Sequence, residues 1–191
     1  MSIFYKQLDT LKSSGELVHF YRDVQNPSDD LTGVLLDFNE DWILIDCVSA
    51  SDGSDDGVSV IQTQEITQTR WGNKMLKNLK FLMDERGVSK KDRLVDITSI
   101  ETILNSVQES FGYVNIHFDG ISDDKCYIGK VIEIDSVVEG DSGCLLFEEY
   151  PPFYSNDICH SLFKLAEITR VDAGAPYEHA VNLIAAEIVK G

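Results

Sequence analysis

A mainly β protein with helices (α+β), arranged as two tandem copies of one small domain, is the fold class predicted by three observations on the 191-residue chain. The chain reads as though written twice. Leu17-Val18-His19-Phe20-Tyr21 recurs as Tyr113-Val114-Asn115-Ile116-His117, and Gly33-Val34-Leu35-Leu36-Asp37 recurs as Gly129-Lys130-Val131-Ile132-Glu133. Glu65-Ile66-Thr67 recurs as Glu167-Ile168-Thr169, followed by Arg70 and Gly72 in one copy and by Arg170 and Gly174 in the other. Order and offset are alike, which predicts copies of about 95 residues. Short alternating segments then predict five strands per copy, and helical spacing at the ends of each copy predicts flanking helices. The expected division is 1–86 for the first copy, 87–96 for a charged linker and 97–191 for the second.

Each element has its own warrant. Phe4, Leu8 and Leu11 stand at helical spacing over 3–13, and Gly15 ends the helix. Strands follow at 16–22, 31–38 and 42–49, with Asn26–Asp30 as a turn and Trp42–Ile45 apolar enough for full burial. Asp52–Gly57 is a polar hairpin loop before strands at 58–63 and 66–70. Residues 73–85 read as a helix with Met75, Leu76, Leu79, Leu82 and Met83 on its apolar side. In the second copy Thr98-Ser99-Ile100-Glu101 has the form of a capping box opening a helix to Ser110, along which Ile100, Leu104 and Val107 echo the first helix. Strands are expected at 112–118, 126–135, 143–149, 160–165 and 167–171. Tyr150–Asp157 is an insertion whose prolines forbid ladder pairing, and Pro176 opens a helix to Val189.

One helix followed by five short, bent strands resembles the Sm-like (LSm) small β-barrel, over each copy apart from its C-terminal helix. Gly33–Asn39 is similar to the first Sm motif, a Gly and apolar residues followed by Asp and Asn, at shorter spacing. The second motif, whose basic residue and Gly contact RNA, is unmatched, because Glu65–Thr67 and Glu167–Thr169 occupy that place. The resemblance thus implies two tandem Sm-like five-stranded barrels and no RNA site. An SH3-like barrel has the same strand count. Glu167–Asp172 also resembles a phrase of uncharacterised bacterial β-barrel proteins, which implies nothing about activity.

Charge narrows the function classes. Thirty-three acids against sixteen bases give a formal net charge of −17. Residues 1–95 carry 11 bases and 16 acids, and residues 96–191 carry 5 and 17. Such a surface repels phosphate backbones and steers cationic partners, although it also serves plain solubility. Eight of the bases lie in residues 70–93; the helix with Lys74, Lys77 and Lys80 could seek an anionic surface, but is rather expected to pack its apolar side on the first copy and to solvate its lysines or dock them against the acidic second copy. No apolar run is long enough for a membrane span and no signal peptide is evident, so a cytoplasmic protein with four reduced cysteines is the expectation.

Motifs for chemistry are sparse. Asp52, Ser54, Asp56 and Gly57 begin like a calcium loop, but Thr63 stands at the twelfth position and strands replace the flanking helices. Cys159 and His160 are adjacent, hence on opposite faces of a strand. No zinc spacing, nucleophile elbow or phosphate-binding loop occurs, and no cofactor or metal is expected. The leading expectation is a non-catalytic acidic protein-binding module, an inhibitor or immunity protein that neutralises a cationic toxin or nuclease. Its candidate partner-binding residues are Glu148, Glu149, Phe153, Tyr154, Asp157, Asp123 and Asp124, because aromatics ringed by acids on a loop suit a basic protein surface. A self-assembling Sm-like scaffold, and so a homo-oligomer, is the alternative. An enzyme using His19 or His117 with Cys126 or Cys159 is a third reading. Neither nucleic acid nor membrane is expected as a partner.

Overall fold

Ser2 accepts a hydrogen bond from the Tyr5 amide and opens α1 (Ile3–Ser14), which Gly15 closes at φ 61°. The computed structural model describes residues 2–22, 30–88, 93–118, 126–135, 143–151 and 158–188. They fall in two compact units, Met1–Arg93 and Leu94–Gly191.

In the first unit α1 precedes β1 (Leu17–Tyr21), β2 (Asp30–Phe38), β3 (Trp42–Val48), β4 (Asp55–Gln62), a 3-10 turn at Thr63–Glu65, β5 (Gln68–Trp71) and α2 (Lys74–Glu85). The strands run antiparallel in the order β5-β1-β2-β3-β4. Leu8 and Leu11 of α1 cover one sheet face, packing with Val18, Phe20, Leu35, Ile43, Ile45 and Ile61. On the other face Leu76, Leu79 and Met83 of α2 pack with Leu17, Val34 and Val48. With a helix on each side, all seven residues of β3 are buried, Trp42 included, as its apolar run requires. Each fully buried aliphatic side chain contributes roughly 1.5–3 kcal/mol. Trp71, at the end of β5, is exposed. Gly33 is required on β2, since a Cβ there would collide with the Asp46 carbonyl of β3.

The second unit runs α3 (Ile100–Phe111), β6 (Val114–His117), β7 (Cys126–Asp135), β8 (Cys144–Glu149), β9 (Cys159–Lys164), a 3-10 turn at Leu165–Glu167, β10 (Arg170–Ala173) and α4 (Pro176–Ile188). Its antiparallel order is β10-β6-β7-β8-β9. Ile103, Leu104 and Val107 are the buried residues of α3. The capping box is one residue later than the sequence pattern indicated: Ser99 receives the Thr102 amide at 3.3 Å, and Thr102 Oγ1 receives the Ser99 amide at 3.0 Å. Gly129 has the same constraint as Gly33, because a Cβ would enter the Glu148 carbonyl.

The barrel expectation is corrected. The ten strands form open antiparallel sheet, with four helices, rather than two closed Sm-like or SH3-like barrels. Closure would require the end strands of each order to bond each other. Instead β5 lays its four residues on β1 alone, Val18 opposite Trp71 through Tyr21 opposite Gln68, and the second unit's order runs from β10 to β9 without returning. Bulges at Leu35/Asp37 and Val131/Glu133 bend β2 and β7 without joining those ends. The internal repeat of such barrels is therefore unsupported. The expected strands at 66–70 and 167–171 also begin later, because Glu65 and Glu167 close 3-10 turns.

Candidate protein-binding face

Register fixes which side chains share a face in the second unit. Phe147 lies opposite Val131 and Ser161, and Leu145 opposite Ile134 and Phe163. This inner face holds the fully buried Leu145 and Phe147, with the Phe163 ring tilted against Phe118 and Tyr127 and edge-on to Phe147. The alternate residues point outward. Across β7, β8 and β9 the outer rows are Lys130–Glu148–His160, Glu133–Leu146–Leu162 and Asp135–Cys144–Lys164.

The middle row is open to solvent. Leu162 is 73% exposed, and Ile132, the extra residue of the bulge beside Glu133, is 49% exposed. In the first unit the outward row Val34–Asp46–Val58 is buried, and α2 covers Val34. Helix α4 lies against β7 and buries Glu178, Val181 and Ala185, while Leu162 stays exposed. Leu146 and Leu162 thus make a cross-strand apolar pair on a solvated surface, beside Glu133 and between one row of Lys130, Glu148 and His160 and another of Asp135, Cys144 and Lys164. Strand β9 ends the sheet order, and a terminal strand offers its free edge for pairing.

The predicted partner-binding residues are only partly brought together. Glu148 is on the outer face, 3.9 Å from His160 Nε2. Glu149 is on the inner side, where its carboxylate accepts from Ser161 Oγ and, at 3.5 Å, from Cys159 Sγ. Adjacent strand residues cannot form one acidic face, so this pair is split. Asp123, Asp124, Phe153, Tyr154 and Asp157 lie outside the described residues. On α2 the expected apolar side is also corrected: Leu76, Leu79 and Met83 are buried, whereas Met75 and Leu82 are exposed, as is Phe81.

A buried polar cluster, unforeseen from the sequence, sits beside α4. His117 Nε2 is 2.9 Å from Asp172 Oδ2, and Arg170 Nε donates to both Asp172 oxygens at 2.9 and 2.7 Å. Asn115 Nδ2 donates to Glu178 Oε1 at 2.8 Å, and the Ala175 amide donates to Oε2 at 3.1 Å. Burial would raise the Asp172 carboxyl, but the adjacent Arg170 and His117 hold it well below the usual carboxylate range. Burial first, then the Asp172 charge, pushes Glu178 up to about 7. Cys126 stands directly opposite His117 in the register, as the enzyme reading needs. Cys126 is exposed, yet partial desolvation and the carboxylates of Asp172 and Glu178 raise its thiol, the reverse of what a nucleophilic thiolate requires.

The other histidine and the calcium-like loop have local partners. His19 Nδ1 is 2.8 Å from Thr32 Oγ1 and 3.0 Å from Asp30 Oδ2. Asp52 accepts from Ser54 and Arg86, bonds that hold its carboxyl far below the usual range. No group of three metal-ligating side chains stands together among the described residues. Nor is any helix among them long and apolar enough to cross a membrane. No protein family, curated protein or solved structure matches the chain.

Proposed function

We propose that the chain is a non-catalytic, cytoplasmic protein-binding module whose second unit takes a cationic partner on the outer face of β7, β8 and β9. One observation carries this reading: Leu162, 73% exposed, is paired with Leu146 in a row that Glu133 completes, between the mixed-charge rows Lys130–Glu148–His160 and Asp135–Cys144–Lys164. An apolar strip between rows of mixed charge supplies burial and fixes the orientation of a partner. The excess of acids in residues 96–191 would steer a basic protein toward it. In its most concrete form this is an inhibitor or immunity protein against a cationic toxin or nuclease.

The test is affinity capture from the source cells at low and high salt, with wild type beside Leu162→Glu and an exposed control, Ile3→Glu. A single basic protein held by wild type and Ile3→Glu, weakened by salt and lost with Leu162→Glu, supports the proposal. Equal capture by all three proteins, or capture indifferent to salt, overturns it.

A further inference from the structure

The backbone of β9 decides which of its residues face the free edge of the second unit's sheet. The Leu165 amide donates to the Gly143 carbonyl at 3.2 Å, next to the facing pair Cys144 and Lys164. Bonded and unbonded pairs alternate along an antiparallel ladder, so Phe163 bonds Leu145 and Ser161 bonds Phe147. The far side of β8 agrees: the Tyr150 amide donates to the Ile128 carbonyl, which turns the even residues of β8 toward β7 and its odd residues toward β9. The amides and carbonyls of His160, Leu162 and Lys164 therefore point away from β8. All three residues are exposed, Leu162 at 73%, and among the described residues nothing pairs with that edge.

Two such edges fit each other. Let β9 of a second copy run antiparallel about a two-fold axis at Leu162. Leu162 then faces Leu162, and His160 faces Lys164 on both sides of the axis. Each is a bonded pair, so every edge amide and carbonyl of the three residues finds a partner. Moving the axis to Lys164 would set two ammonium groups opposite each other, which destabilises a ladder. With the axis at Leu162, the outer row Glu133–Leu146–Leu162 meets its own reverse, and the apolar pair of one copy closes on that of the other. In the next row Asp135, Cys144 and Lys164 continue into His160, Glu148 and Lys130 of the second copy, with an imidazole between the Lys164 ammonium and the Glu148 carboxylate. We infer that the chain forms a two-fold dimer by pairing β9 with β9 of a second copy. A second copy is the occupant because this edge is complementary to itself in hydrogen-bond phase and in side chains. The contact is isologous and closes at two copies. It uses the strand edge, and so goes beyond the reading of the outer face as a partner site.

Sedimentation velocity over a wide range of protein and salt concentration tests this. The interface is small and each copy carries a formal charge of −17, so mass is expected to double at high protein concentration, and sooner at high salt, which screens the repulsion. Lys164 has a φ of −79°, within the range of proline, so Lys164→Pro deletes an edge N–H without disturbing the bonds to β8. It should stay monomeric, while Lys164→Ala, which keeps the N–H, dimerises like wild type. Leu162→Glu and Leu162→Lys should each be monomeric alone, and their equimolar mixture should dimerise, because a two-fold contact at this residue sets it against itself. Wild type that stays monomeric at every concentration overturns the inference, as does a Lys164→Pro protein that dimerises like wild type or a mixture that fails to associate. Failure of the partner proposal is read separately: Lys164→Pro keeps Leu162 and the outer face, so it retains a cationic partner if that proposal holds, whether or not the chain dimerises.

Discussion

Glu178 on α4 and Asn115 on β6, 63 residues apart in sequence, share a buried 2.8 Å hydrogen bond from Asn115 Nδ2 to Glu178 Oε1. The bond fastens the first turn of α4 to the sheet of the second unit, and the Ala175 amide binds the other carboxylate oxygen. Neutral and ionised forms of Glu178 therefore differ in how well α4 is docked.

Stability should fall between pH 5 and pH 8. Glu178 is raised from 4.5 to about 7 in the folded protein. Its contribution is complete below the unfolded value and lost as pH rises through the folded one, up to about 3 kcal/mol for a shift of this size. Asp172 acts oppositely: lowered by Arg170 and His117, its stabilisation is present above the ordinary carboxylate pKa and lost only in acid. Urea unfolding at several pH values should show this slope in wild type and a flatter one in Glu178→Gln. The same slope in both proteins would remove Glu178 as its source.

Arg93 should be indispensable to the first unit. Its side chain is 8% exposed, with Nε 3.1 Å from Asp46 Oδ1 and Nη2 paired with Asp55. Arg93→Met leaves Asp46 buried beside a lost cation and should cost about 3–5 kcal/mol. Adding Asp46→Asn should return part of that loss, read as the urea midpoint.

Gly33→Ala and Gly129→Ala should each destabilise by about 1–3 kcal/mol, because the new methyl meets the Asp46 or Glu148 carbonyl across the ladder. Gly87→Ala has open space around its Cβ but a φ of 67°, so it isolates the backbone penalty from the clash. Thermal melts of the three variants would rank the two effects.

Although Cys126 is exposed, it should alkylate more slowly than a free cysteine at pH 8, since partial desolvation, Asp172 and Glu178 all raise its thiol. Rapid modification would revive the Cys126–His117 nucleophile. Mass-resolved labelling with iodoacetamide distinguishes the cases.

Local structure was legible where the signal is local. Leu8 and Leu11 on α1, the alternation of β9 and the all-buried β3 were readable from spacing alone. Barrel closure was not, because whether β5 meets only β1 depends on strands far apart in sequence, and no residue of β5 announces it. Arg93 read as part of a charged linker; its partners Asp46 and Asp55 lie 47 and 38 positions upstream. Glu178 likewise looked like an ordinary helix residue, for Asn115 is not near it in the chain. The splitting of Glu148 from Glu149 was available from the rule that neighbours in a strand face opposite ways, the rule that separated Cys159 from His160. Leu162 was visible too, as an apolar residue on the outward phase of β9 between His160 and Lys164.

Both tryptophans, the buried Trp42 and the exposed Trp71, belong to the first unit. Intrinsic tryptophan emission is therefore an optical report on that unit alone. Circular dichroism records helices and strands of both, and the second unit contributes Tyr113, Tyr127, Tyr150, Tyr154 and Tyr177 to the near ultraviolet. Coincident emission and dichroism transitions would mark one cooperative unit, while separated ones would give each half its own melting curve without any label being added.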